Sequence, residues 1–113
     1  MDHHSLDELD ELDDAQQQAA MMARRRIEEA EEHVDHYRSQ IFRIQEGFHQ
    51  HAAQRDVVDD PAFRAALQHV SEDADENIRT ASQAIAELEE DLQAMTVRHI
   101  DEREDFLARQ RQD

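Results

Sequence analysis

The side chains in this chain that could do chemistry are eight histidines and twenty-nine carboxylates. Read as helix, the stretch EEAEEHVDHY sets Glu29 one turn from His33 and Glu32 one turn from His36. A carboxylate and an imidazole then share a face, and oxygen with nitrogen donors could take a divalent ion. Glu46-x-x-His49 is formally the Glu-x-x-His element of di-iron helical bundles. That architecture needs a second such element on another helix and two further inward glutamates. His69 and His99 have no glutamate at the required offset, and Glu46 and His49 flank the apolar seam instead of entering it. Met1-Asp2-His3 could chelate copper through its amine and successive backbone nitrogens, as any chain with histidine third can. The simpler reading is a solvated charged face, with His51 and His99 as amphipathic ends of the seam, and no metal site is expected.

Cysteine is absent, which excludes disulfides, thiolate zinc sites and thiol chemistry. No nucleophile–base constellation, phosphate-cradling glycine loop or paired catalytic acids can be traced, and a thin helical fold offers little pocket in which to build one. The expectation is a non-enzyme without a cofactor.

The elements that must carry these residues follow from composition. One glycine and one proline in 113 residues leave almost nothing with which to make turns, so a single all-α domain spanning 1–113 is expected. Gln, Ala, Glu, Arg, Leu and Met lose little rotamer freedom in a helix. Hydrophobic content of 38% with 4% aromatic suits a narrow seam more than a thick core. No window approaches a membrane span, and the acidic start MDHHSLDELDELDD does not read as a signal peptide. The expected location is the cytoplasm, with export alongside a partner by a route that reads no signal peptide as the further possibility. The net charge of −17, with arginine as every basic residue, disfavours nucleic acid and anionic lipid as partners.

Apolar and small residues recur in three–four alternation at Ala20, Ala23, Ile27, Ala30, Val34, Tyr37, Ile41, Ile44 and Phe48, a heptad seam. The same register collects Leu6 and Leu9 but passes through Asp13 and Gln16, so the first turns are expected to fray or to need a partner. A second seam runs through Phe63, Leu67, Val70, Ala74, Ile78, Ala81, Ile85, Leu88, Leu92, Met95, His99 and Phe106, and its step from 70 to 74 to 78 is a stutter. Between the seams lies RDVVDDPAF. Asp60 suits an N-cap and Pro61 the first helical position, so the proline starts a helix instead of kinking one long helix. The spacing predicts helices over about 5–54 and 61–111, with a turn over about 55–60. Folded back, residues whose numbers add to about 115 to 116 face each other: Phe48 with Leu67, Ile41 with Ala74, Ala23 with Leu92, Ala20 with Met95. Small positions then fall opposite large ones. Arg24–Arg26 falls opposite Glu89–Asp91, and Arg43 near Glu72 and Asp73, which disfavours other registers.

A two-helix seam rich in alanine is expected to be weakly stable alone. Leu12, Met21, Met22, Phe42, Val57, Val58, Val97, Ile100 and Leu107 lie beside or outside it and gather near the hairpin's two ends. They are the candidate partner-binding residues, packing against a second copy or a helical protein to complete a four-helix arrangement.

An acidic chain without cysteine or tryptophan that folds back across RDVVDDPAF resembles the small accessory proteins accompanying polymorphic toxins of type VII (Esx) secretion, relatives in architecture of the Trp-X-Gly helical hairpins. The resemblance covers the whole chain and rests on size, charge and architecture. The turn carries no Trp-X-Gly, and Phe106 is followed four residues later by Gln110 where the family's export signal has an acid. The resemblance implies an adaptor or targeting chaperone for a toxin's helical N-terminal domain. An acidic immunity protein covering a basic active site and a structural coiled-coil spacer are the other classes compatible with the sequence.

Overall fold

The structure is a computed structural model that describes residues 2–112; Met1, and with it the Met1-Asp2-His3 copper reading, lies outside the described residues. It is all-α: helix α1 spans His3–Arg55 and helix α2 spans Pro61–Gln112, folded back as a hairpin. No described helix is long and apolar enough to cross a membrane.

Helix α1 begins two residues before the expected start because Asp2 caps it. The Ser5 amide donates to Asp2 Oδ1 at 2.8 Å, satisfying one of the otherwise orphaned first-turn donors. Its far end closes with a local device of the same economy. Asp56 adopts a left-handed φ of 55°, the Val57 amide reaches back to the Ala52 carbonyl at 2.9 Å, and the Asp56 amide approaches the Ala53 carbonyl at 3.4 Å. This is a Schellman pair of hydrogen bonds, usually built on glycine, with half-buried Val57 at the position that covers fully buried Ala52. Helix α2 then starts as expected: Asp60 Oδ1 accepts from the Ala62 amide at 2.8 Å, and Pro61, which has no N–H to satisfy, takes the first helical position. Arg64 adds an ion pair to Asp59 at 2.8 Å.

The chain divides into two units, Glu29–Ile85 and the combination of Met1–Glu28 with Ala86–Asp113. In the unit holding the turn, Asn77 donates to the Tyr37 hydroxyl at 2.9 Å and Gln45 donates to the Ser71 hydroxyl at 2.9 Å. The Phe48 and Phe63 rings lie 6.3 Å apart, and Ala52 and Ala74 are buried. In the other unit Ile27 is buried. There Gln16 donates to the His99 carbonyl at 2.9 Å, Arg103 pairs with Asp13 at 3.1 Å, and the Ser5 hydroxyl donates to the Gln110 side chain. In both units these cross-helix hydrogen bonds join residues whose numbers add to between 114 and 116, the register expected from the seams.

Three seam positions differ from expectation. Ile44 is 47% exposed and Gln45 takes its place, half-buried. The stutter in α2 is the physical reason. A four-residue step through Ala74 turns that helix's seam, and α1 must make the same step, from Ile41 to Gln45, to keep facing it. Leu6 is likewise exposed at 47% while Ser5 is buried, since Ser5 spends its hydroxyl on Gln110. Of the expected charge pairs, one is brought together. Arg26 and Asp91 line one hollow, but Arg43 turns onto its own helix and donates to the Ser39 carbonyl at 3.3 Å. His51 is exposed, and Ala52 ends the seam in its stead.

Candidate functional site: an apolar interaction surface

Carboxylates and imidazoles do collect on α1, where Glu29, Glu32, His33 and His36 line a shallow hollow. Among the described residues, however, no group of three or more His, Cys, Asp or Glu side chains is arranged to hold a metal ion. His4 pairs with Glu8 at 2.9 Å and His69 approaches Asp73 at 3.8 Å, each across a single turn of its own helix. These are solvated pairs of the kind that contribute little to stability.

The apolar residues outside the seam are more informative. In the unit with both chain ends, Met21 (59% exposed), Met22 (52%), Val97 (60%) and Ile100 (53%) stand in solvent, while Leu12 and Leu107 are half-buried. Met21 and Ile100 come together: with Ala20 and Thr96 they line one hollow of about 520 Å³, edged by Asp13, Arg24 and Arg103. Met22 and Val97 are not part of its lining. In the unit with the turn, Phe42 and Val58 are exposed, whereas Val57 is half-buried in the Schellman cap.

Sequence reasoning missed three parts of this surface. Leu6 and Ile44 were assigned to the seam and are exposed. The third is a groove of about 430 Å³ beside the seam, lined by Ala30, Val34, Tyr37, Ile78, Ala81, Ala84 and Ile85, with His33 and Asn77 at its edges. Its origin is steric. Alanine at 30, 81 and 84 leaves room that larger side chains would fill, and Tyr37, held by Asn77, closes part of it. Its sequence signal is alanine at adjacent levels of both helices, which by itself reads only as complementarity to larger partners. His33 belongs both to this groove and to the acidic hollow with Glu29 and Glu32, so the apolar floor has an anionic neighbour.

The chain was compared with protein-family models, with curated proteins and with solved structures, and nothing matches it.

Proposed function

We propose that this chain is a non-catalytic protein–protein interaction module that docks a helical partner on apolar residues its own seam leaves out. The observation that carries the reading is the contrast between what is covered and what is not. Among the described residues the buried apolar side chains are Ile27, Ala52 and Ala74, while Met21, Met22, Phe42, Val97 and Ile100 are each more than half exposed. Covering the exposed half of one such side chain returns about 0.75–1.5 kcal/mol, so four of them give about 3–6 kcal/mol before the cost of association. Ordering a disordered segment costs roughly 1–2 kcal/mol per residue, which would consume that gain. A partner that is already helical would not incur this cost.

The partner class we propose is the elongated helical N-terminal domain of a secreted toxin, in line with the resemblance to type VII accessory proteins; the chain would act as its adaptor or targeting chaperone. Met21→Asp with Ile100→Asp tests the surface, because both residues line one hollow and both are exposed. Co-expressed with such a toxin domain encoded in an adjacent gene, the double variant is expected to lose co-purification and keep its helical circular dichroism. Undiminished co-purification would remove this surface from the proposal.

A further inference from the structure

The groove beside Tyr37 has a definite chemistry, and we infer that its occupant is an amphipathic helix carrying arginine or lysine along one flank of its apolar stripe. This deepens the proposed function and rests on it. The floor is apolar, formed by Ala30, Val34, Ile78, Ala81 and Ile85, and alanines at the contact level make holes that accept larger knobs. From Ala30 to Tyr37 the groove runs about two helical turns, roughly 10 Å, which matches apolar side chains at i, i+3 or i+4, and i+7 of a single incoming helix. Its charge selects the flank. Through His33 the groove adjoins the hollow of Glu29 and Glu32, and the chain as a whole carries −17. A cationic flank is drawn to that rim, whereas a second copy would bring its own net charge of −17 towards it, a repulsion felt within the ~8 Å screening length of physiological salt.

The protein contains its own reporter. Tyr37 is the single tyrosine, and there is no tryptophan, so intrinsic tyrosine emission comes from the groove wall. Two tyrosine-free, tryptophan-free helical peptides with leucine at i, i+3 and i+7 serve as probes, one with arginines and one with glutamates on the flank. With the full chain, the arginine peptide is expected to change Tyr37 emission saturably, and the glutamate peptide to bind at least roughly tenfold more weakly, about 1.4 kcal/mol. Ala84→Arg, at an exposed groove position, fills the groove and reverses its charge preference, and is expected to abolish the response with helicity unchanged; Ala84→Ser retains it. Equal binding of both peptides, or of neither, overturns the inference, as does a sedimenting dimer that Ala84→Arg dissociates, which would assign the groove to a second copy. If Met21→Asp with Ile100→Asp abolishes toxin-domain binding while Ala84→Arg leaves it intact, this inference fails and the interaction module stands; if neither has an effect, both fail.

Discussion

Gln45 on α1 donates its side-chain amide to the Ser71 hydroxyl on α2 at 2.9 Å, a polar pair at seam level beside buried Ala74. It lies where both helices take a four-residue step, and it fixes the register there by pairing donor with acceptor. Removing one partner leaves the other half-buried and unmatched, so Gln45→Ala is expected to lower unfolding free energy by about 1 kcal/mol. Gln45→Leu combined with Ser71→Ala should recover most of the loss. Urea melts of the three proteins measure both effects.

Asp56 occupies the left-handed region at φ 55°, tolerable for aspartate but costly for branched side chains. Asp56→Gly is expected to be more stable than Asp56→Val by about 1–2 kcal/mol. Thermal unfolding of the pair reports the difference, and equal melting temperatures would show that the Schellman turn is not formed in solution.

Ala23 and Leu92 line a common hollow between α1 and α2 and meet in the register derived from the seams. Cysteines at these positions should crosslink within one chain under mild oxidation, giving a species of monomer mass with faster mobility on a denaturing gel. Crosslinks of dimer mass alone would mean that the helices pair between chains.

The Ser5 amide at the start of α1 holds the Asp2 carboxyl below its ordinary range. A depressed carboxylate contributes stability that is fully present above its unfolded pKa, about 3.9, and is lost as pH falls through the lower folded value. The first turn of α1 should therefore loosen only below about pH 4. In Asp2→Ala the Ser5 amide should exchange faster and lose this pH dependence, which amide exchange by NMR can follow.

The hairpin, its turn and its register were legible because they depend on properties that sequence displays directly: a lone proline after two aspartates, two apolar stripes of similar length, and a constant sum across them. What escaped reading was set largely by the partner helix of each contact. Ile44 and Gln45 are adjacent, and an apolar stripe read on α1 alone prefers the isoleucine; only the stutter on α2, imposed on α1 by contact, favours the glutamine. Ser5 displaces Leu6 for a similar reason, through a hydroxyl bond to a residue near the other chain end. Asp2 and Asp56 act through backbone geometry, Asp2 too close to the first residue to join any periodic pattern and Asp56 in a conformation more common for glycine. The groove is a difference of volumes between two helices, and neither stripe carries it alone.

The constant sum also orders the chain's folding in time. Cross-helix pairs join residues 26 apart at Gln45–Ser71, 40 at Tyr37–Asn77, 83 at Gln16–His99 and 105 at Ser5–Gln110. Forming the last of these from an open coil would require closing nearly the whole chain as one loop, whereas forming them in sequence from the turn requires only a few newly ordered residues at each step. The nominal contact order is high, but the kinetic distance is short. The route of least loop-closure cost is thus a zipper that starts at Asp56–Pro61 and runs outward, on which the start of α1 and the end of α2 are expected to pair last and open first.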